Sequence, residues 1–344
     1  MKAFDLFAGI GGFRYAYEDV FKKKNYTTVG WSEIDRYCQK TYSANYNIKD
    51  IFFVDDIKKI TSPDNDYCTG LNYNSKKKKL SIKKKFIKFD ILFAGFPCQS
   101  FSSMGNQKGI NDTRGLLFYD ILAILNSIKP KYFILENVKR LLTIDSKKTF
   151  EMMVKSLNSI GYDVNWWVLD SKDYGVPQTR RRLYIYGCLK KLKKILPLDS
   201  PPPIRLSTST LDILQKNVDK KYHLSKKILK TILKNGTGGY YSKSEIDLKI
   251  ARPLTRTMVK MHRANQDNYY SNKFLKGDKK LKWVRKLTPQ EALRLQGFSD
   301  KFYHNAKADM ISDAQLYMQA GNAVTVNVIK SILKHLANND WFTE

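Results

Sequence analysis

Short apolar runs alternate with helical patterns along the first 190 or so residues. An apolar run of about four to eight residues between turn signals is typical of a strand buried on both faces. A chain that alternates such runs with helices forms a parallel sheet with crossover helices, so we predict an α/β fold. The predicted strands are residues 3–7, 27–31, 51–54, 90–94 and 132–135, with 163–169 and 181–186 returning antiparallel at one edge.

Apolar positions at helical spacing fill the segments between these runs. The predicted helices are residues 13–21, a segment after Asp35, 116–128, 289–295 and 323–336. Composition shifts at residues 197–203, where four of seven residues are proline, and this favours a domain boundary. The segment from there to about Trp283 lacks the strand–helix rhythm, so we expect a second, smaller domain.

The charge of the chain indicates the class of its partner. It holds 61 lysine and arginine residues against 32 aspartate and glutamate residues, a net charge of +29. This excess favours a polyanion, with nucleic acid first and an anionic membrane second, although a lysine-rich proteome would give the same composition. Residues 76–85 include seven lysines and predict a solvated loop.

Other patterns exclude several protein classes. No apolar run approaches the length of a membrane span, and Asp5 interrupts the short apolar stretch at the N-terminus, so neither an anchor nor a signal peptide is expected. The widely spaced cysteines lack zinc spacing and imply neither a metal site nor disulfides. These are Cys38, Cys68, Cys98 and Cys188. We therefore expect a cytoplasmic protein with no membrane partner.

A glycine turn follows the first predicted strand and opens the first helix. Gly9 and Gly11 let the backbone approach a ligand, and the helix N-terminus favours an anionic group. The third glycine of the dinucleotide fingerprint is replaced by Arg14, so a nucleoside ligand with a carboxylate, such as S-adenosylmethionine, fits better than NAD. Glu33 ends the second strand, where an acid binds ribose hydroxyls, and Asp56 ends the third, where it could accept from an adenine amino group.

Two reactive side chains follow the fourth and fifth predicted strands. Cys98 lies just beyond one apolar run and Glu136 ends the other. Because the carboxyl ends of neighbouring parallel strands meet at one edge of a sheet, we expect the thiol and the carboxyl group to share a pocket. A thiol can attack an electron-poor carbon while a carboxyl group supplies a proton.

The ordered motifs of the chain resemble those of bacterial-type DNA (cytosine-5)-methyltransferases. They span nearly the whole chain except about 200–283, and their unpermuted order makes the set specific. The motifs are FAGIGG at 7–12, PCQSFS at 97–102, ENV at 136–138, QTRRR at 178–182, LTPQEA at 287–292, LQGF at 295–298 and GNAV at 321–324. The resemblance implies a Rossmann-like S-adenosylmethionine-dependent methyltransferase sheet with a smaller target-recognition domain.

The resemblance also implies a chemistry. Cys98 would add to C6 of a cytosine flipped out of DNA, C5 would take the methyl group of S-adenosylmethionine, and Glu136 would hold a proton at N3. Arg182 would contact the cytosine O2, and Arg180 would brace Glu136 or a target phosphate. Because side chains alternate along a strand, Arg180 and Arg182 share a face while Arg181 points away.

Further residues are assigned by the same resemblance. Ile34 occupies a position that is often tryptophan in relatives. The cofactor-binding positions beyond those already named are Phe7, Ile34, Ile57, Pro97, Leu117 and Asn322. Residues 99–113 would form a loop that closes on DNA, with Gln99 and Ser102 contacting it. The implied domains are 1–197 plus 312–344 for catalysis, 198–283 for target recognition and 284–311 as a hinge.

Residues 204–283 are expected to read the target sequence, since relatives vary there. Arginine reads guanine, and asparagine or glutamine reads adenine, through paired hydrogen bonds. The candidates for DNA contact are Tyr240, Arg256, Arg263, Asn265 and Gln266. The alternative is that these side chains contact phosphate or only support the loop.

Two other functions stay open at this point: a tRNA cytosine-5 methyltransferase on the same scaffold, and a DNA-binding protein without catalysis. The expected partner is double-stranded DNA. A restriction endonuclease acting on the same site without a stable complex is the further partner, in a restriction-modification or orphan system. A monomer is expected by analogy with the family.

Overall fold

A seven-stranded sheet forms the centre of the computed structural model, which describes residues 1–22, 26–61, 87–97, 116–194, 196–236, 241–277 and 283–342. Its strands are β1 (Lys2–Leu6), β2 (Thr27–Ser32), β3 (Phe52–Val54), β4 (Ile91–Gly95), β5 (Tyr132–Val138), β6 (Tyr162–Asp170) and β7 (Arg181–Leu189). The strand order is β3-β2-β1-β4-β5-β7-β6. The first five strands are parallel, and β7 runs antiparallel to β5 and β6, which confirms the predicted α/β fold.

Helices cover both faces of this sheet. The α-helices among the described residues are α1 (Gly12–Val20), α2 (Arg36–Asn45), α3 (Lys58–Thr61), α4 (Leu116–Ile128), α5 (Lys148–Ser159), α6 (Thr210–Ile213), α7 (Lys226–Ile232), α8 (Pro289–Arg294), α9 (Asp300–Ala308), α10 (Asp313–Asn322) and α11 (Val326–Asn338). Ile91 and Phe93 of β4 pack in one apolar cluster with α1 and α11, while Leu92 and Ala94 pack in another with α4 and α5. Burial on both faces explains why the strands are continuous apolar runs. None of the helices in the described ranges is long and apolar enough to cross a bilayer.

The segment predicted as a hinge, residues 284–311, does not behave as one unit. Its first residues form β9 (Val284–Lys286), which pairs antiparallel with β8 (Tyr269–Ser271). Phe298 and Phe302 instead pack edge-on against Tyr15 of α1, with ring centroids 5.4 and 5.9 Å away. We therefore call residues 198–286 the small lobe and the rest of the chain the large lobe. Their assignment to separate functions stays a prediction.

Candidate active site

The two glycines of the turn after β1 have different surroundings. Gly11 has a φ of 81°, and a Cβ at that position would lie 2.5 Å from Cε2 of Tyr46, whose hydroxyl donates to the Gly11 carbonyl at 2.7 Å. Gly9 has a φ of 54°, and no atom of the described residues lies within 4 Å of the place its Cβ would take. Gly11 is therefore required for packing, whereas Gly9 borders open space that a ligand can fill.

Arg14 occupies the third position of the would-be dinucleotide fingerprint. Its guanidinium is buried, donates to Glu18 Oε1 at 2.6 Å and to the Asn47 carbonyl at 2.9 Å, and lies 4.7 Å from the centre of the Tyr46 ring. These contacts tie α1 to the end of α2. The departure from the fingerprint thus has a structural role, since glycine could make none of these contacts.

Glu33 links the carboxyl ends of β1 and β2. Its Oε2 accepts the Gly9 N–H at 2.7 Å and its Oε1 accepts the Asp35 N–H at 2.8 Å. Burial raises the pKa of the Glu33 carboxyl, and the two N–H donors oppose that rise. The next residue, Ile34, is 69% exposed, so a large apolar side chain stands free beside this turn.

The other predicted cofactor positions fall in two groups. Asp56 is half-buried, and its Oδ1 accepts the Lys58 N–H at 2.9 Å, leaving its second oxygen for another donor. Pro97 and Asn322 are exposed. The remaining three side chains pack wholly or partly into the apolar cluster beneath α4, namely Phe7, Ile57 and Leu117.

Glu136 lies at the end of β5, directly opposite Gly95 of β4 in the parallel register. The side chain is buried, and its Oε1 lies 3.3 Å from Nε of Arg182. Burial raises the pKa of the Glu136 carboxyl, while the positive charges of Arg182 and Arg180 oppose the rise. The site therefore holds a carboxyl group whose proton is retained more strongly than in water.

Asn137 fixes the chain where it leaves β4. Its Nδ2 donates to the Phe96 carbonyl at 3.0 Å, and its Oδ1 accepts the Val138 N–H at 2.8 Å. The end of β4 is thereby fastened beside Glu136, one residue before the exposed Pro97. The predicted residues Cys98, Gln99, Ser102 and Tyr240 lie outside the described residues.

The contacts of Arg180 differ from the predicted ones, which were a brace on Glu136 or a bond to a target phosphate. Its guanidinium is 3% exposed and donates to the carbonyls of Leu254 at 2.9 Å, Gly321 at 3.1 Å and Ala323 at 2.9 Å. Burial is the main cause that lowers the pKa of Arg180 to about 9, with a further contribution from the charge of Arg182. A side chain committed to three carbonyls in the interior cannot also reach a phosphate in solvent. Its influence on Glu136 is that of a nearby charge.

The C-terminal segment packs beside the glycine turn of the large lobe. A Cβ at Gly12 would lie 2.6 Å from Cγ2 of Val324, and one at Gly95 would lie 3.7 Å from both Val324 Cγ1 and Glu136 Oε2. Thr325 and Ser171 share a hydrogen bond of 2.8 Å. Val324 thus joins the turn after β1 to the end of β4 and to the carboxyl group.

Comparison with known proteins decides the family. The family model described as C-5 cytosine-specific DNA methylase matches residues 1–338. The chain belongs to the C-5 cytosine-specific DNA methylase family. It is 36% identical to type II methyltransferase M.SsoII of Shigella sonnei over 344 residues, covering 96% of this chain and 79% of that protein. It is also 36% identical to type II methyltransferase M.HpaII of Haemophilus parainfluenzae, covering 97% and 89%.

Solved structures show the same fold. The methyltransferase EhMeth of Entamoeba histolytica superposes with a TM-score of 0.71 at 21% identity, and the Dnmt2 methyltransferase of S. pombe with 0.71 at 19%. In both cases 98% of each chain is covered.

Family membership makes this methylase an enzyme, so the noncatalytic alternative is excluded.

The small lobe of the methylase holds the predicted base-contact residues in different states. Arg256 and Gln266 are exposed. Arg263 is half-buried and donates from Nη1 to the Gly236 carbonyl, so its guanidinium supports the loop. Asn265 is half-buried, and its Oδ1 has no hydrogen-bond partner among the described residues.

One buried side chain of the methylase was missed by the sequence analysis. Gln178 has no exposed surface; its Nε2 donates to the Leu295 carbonyl at 2.7 Å, and its Oε1 accepts the Leu254 N–H at 3.0 Å. The Ala251 N–H also donates to the Pro177 carbonyl at 2.8 Å. These bonds join the two lobes. The available signal was its place in the QTRRR motif, two residues before Arg180.

Proposed function

We propose that this methylase transfers a methyl group from S-adenosylmethionine to C5 of a cytosine in double-stranded DNA, as the modification enzyme of a type II restriction-modification system. The observation that carries the proposal is the buried carboxyl of Glu136 beside Arg182, at the strand end next to the one that leads into Pro97. The relatives at 36% identity are type II methyltransferases, and they support the biological setting.

The turn after β1 fits the proposed cofactor. The open space beside Gly9 would hold the part of S-adenosylmethionine that lies against the protein backbone. The exposed Ile34 offers an apolar contact for the adenine of the cofactor. Glu33 can still accept from ribose hydroxyls, because a carboxylate has about four acceptor positions and two are used here. Asp56 has one oxygen left for the adenine amino group. When bound, S-adenosylmethionine supplies an electrophilic methyl group.

Glu136 is proposed to hold a proton at N3 of the target cytosine. A carboxyl group must be protonated to donate there, and burial shifts the equilibrium in that direction. The positive charge of Arg182, whose Nε lies 3.3 Å from the Glu136 carboxyl group, opposes this rise in pKa. The bound base therefore has to displace or redirect part of the Arg182–Glu136 pairing. Arg182 would then be free to donate to the cytosine O2.

Cys98 is proposed as the nucleophile. Its thiolate would form a bond to C6 as N3 takes the proton, which makes C5 electron-rich. After C5 is methylated, loss of the C5 proton and departure of the thiolate restore the aromatic ring. An ordinary thiol has a pKa of about 8.5, so only a small fraction is thiolate near neutral pH.

The DNA would bind between the lobes, and the net charge of +29 would attract its phosphates. Arg256 and Gln266 are proposed as base readers because both are exposed, whereas the Asn265 Oδ1, which has no partner among the described residues, is itself buried and makes Asn265 the weaker candidate. Arg263 is proposed to hold the reading loop instead. Alanine at a base reader should relax specificity at one position, whereas a uniform loss across sequences would indicate phosphate contact.

Covalent trapping tests the proposed reaction. Duplex DNA containing 5-fluorocytosine at the methylated position should stay covalently bound in the presence of S-adenosylmethionine. A base can remove a proton from C5 but cannot remove fluorine, so the thiolate cannot depart after methylation. Cys98→Ser should bind the cofactor but form no adduct, and Glu136→Gln should form it slowly. Trapping by Cys98→Ser, or methylation of tRNA in preference to duplex DNA, would overturn the proposal.

A further inference from the structure

Arg180 joins three parts of the chain that are remote in sequence. Nη1 of Arg180 donates to the Leu254 carbonyl in the small lobe, and Nη2 donates to the carbonyls of Gly321 and Ala323 in the large lobe. The two large-lobe acceptors flank Asn322, a proposed cofactor residue. One guanidinium thus fastens a small-lobe loop to the segment that holds Asn322.

Gly321 provides an independent contact between the same two segments. A Cβ at this position would lie 2.2 Å from the carbonyl carbon of Thr255 and 2.4 Å from the backbone nitrogen of Arg256. The backbone of residues 255–256 therefore packs directly on the end of α10, at a distance that only glycine permits. The backbone of Arg256, the exposed candidate for base reading, is part of this contact.

We propose that Arg180 and Gly321 are positioning residues that hold residues 254–256, the recognition segment, against residues 321–323, the cofactor segment. This inference rests on the proposed function, because it takes Arg256 as a DNA contact and Asn322 as a cofactor contact. Arg180 and Gly321 attach the two segments to each other in the interior of the protein. If DNA orders the recognition segment, or the cofactor orders the cofactor segment, the other segment is therefore ordered as well. Binding of target DNA therefore strengthens binding of the cofactor, and the reverse holds equally.

The geometry requires arginine at position 180. A planar guanidinium can serve carbonyls in two directions at once, whereas a lysine ammonium is a single point. Burial would lower the pKa of a lysine here as it lowers that of Arg180, so Arg180→Lys weakens both the charge near Glu136 and the attachment. Gly321→Ala separates the two roles that Arg180 could have: its charge acting on the carboxyl group would survive the change, and attachment of the two segments would not.

The test measures the affinity for S-adenosylhomocysteine with and without duplex DNA. The duplex carries the site found by mapping 5-methylcytosine in DNA treated with the wild-type protein. We expect the wild type to bind S-adenosylhomocysteine about 5- to 150-fold more tightly when this duplex is present. In Arg180→Lys and in Gly321→Ala the ratio should fall below about 2-fold, while thermal unfolding shows that both variants are folded.

Arg181→Lys is the matched control. Arg181 is adjacent in sequence, exposed on the other side of the strand and paired with Asp170 at 3.2 Å, so its variant should keep the wild-type ratio. Full coupling in both Arg180→Lys and Gly321→Ala, or a wild-type ratio near 1 despite binding of both ligands, would overturn the inference. A wild type that binds no S-adenosylhomocysteine at all would overturn the proposed function instead.

Discussion

The ion pair between Arg285 and Glu291 gives a sharp stability prediction. Nη2 and Nη1 of Arg285 lie 2.7 and 2.8 Å from the two carboxylate oxygens, and neither side chain has any exposed surface. The same carboxylate accepts the N–H groups of Thr288 and Gln215, each at 2.7 Å. Glu291 therefore fastens β9, the start of α8 and residue 215 of the small lobe at a single point.

Replacing Glu291 with alanine leaves a buried guanidinium and two buried N–H groups without acceptors. Breaking a buried pair in this way costs about 3–5 kcal/mol. Each orphaned N–H adds about 1–3 kcal/mol where water cannot enter. We expect Glu291→Ala to lower the free energy of unfolding by at least about 3 kcal/mol. The double variant Arg285→Met with Glu291→Leu should recover part of this loss, since it removes both charges and keeps the volume.

Arg294 and Asp300 provide a matched control on the surface. They form the same forked pair at the same sequence separation, with distances of 2.6 and 2.7 Å, but their side chains are 26% and 47% exposed. Asp300→Ala should cost only about 0.2–1 kcal/mol, because water solvates the partner that remains.

Urea unfolding followed by circular dichroism and by tryptophan fluorescence measures both losses, and Trp283 lies close to the buried pair in sequence. Both pairs join an arginine to a carboxylate six residues later by two hydrogen bonds, so the comparison measures the combined cost of burying the pair and of the two N–H groups that Glu291 also accepts. If Glu291→Ala lost less than about 1 kcal/mol, or no more than Asp300→Ala, the argument from desolvation would be refuted. A double variant less stable than Glu291→Ala would refute it as well.

Other features of the structure give three further outcomes. Gly9 and Gly11 both have a positive φ, so alanine at either position costs about 1–2 kcal/mol of backbone strain. Gly11→Ala should lose about 1–3 kcal/mol more because its methyl group overlaps Tyr46, whereas the further effect of Gly9→Ala should be weaker S-adenosylhomocysteine binding; equal losses in thermal unfolding would contradict this difference. Burial raises the pKa of Glu136, so the wild type should lose stability relative to Glu136→Gln as pH rises from about 4.3 through the raised pKa; a difference in urea midpoint that is independent of pH would contradict it. DNA affinity should fall by orders of magnitude between about 50 and 200 mM salt, and a flat response in titrations would mean that the +29 charge is compositional.

The sequence predicts the sheet well because burial on both faces leaves a local signature. The bounds of β4 differ from the prediction by one residue and those of β5 by at most three, and α4 has its predicted bounds. The convergence of strand ends follows from parallel pairing, and the register of Gly95 opposite Glu136 shows it. Helix α5 was missed, although its buried Phe150, Met153 and Leu157 have helical spacing. Its polar residues outnumber these three, so the pattern is easy to overlook.

Contacts between remote segments could not be read from local patterns. Strand β9 was not predicted, because a strand of three residues has too little periodicity to detect. The roles of Gln178 and Glu291 depend on carbonyl and amide groups that lie 76 to 117 residues away in the chain. Backbone groups carry no residue-specific signal, so a sequence cannot show which of them a buried side chain will meet.

Arg180 and Arg182 show where pattern reasoning stops. Strand alternation predicts that both lie on one face; in the structure β7 begins at Arg181, and the charges of both arginines oppose the rise in the pKa of Glu136. Their burial differs because residues 251–254 of the small lobe pair with residues 177–180 and cover only the first arginine. Arg182, with a side chain 19% exposed, stays partly open to solvent beside Glu136. The lobe that is proposed to read DNA thus also decides which arginine becomes part of the interior and which one remains available for the proposed contact with the cytosine.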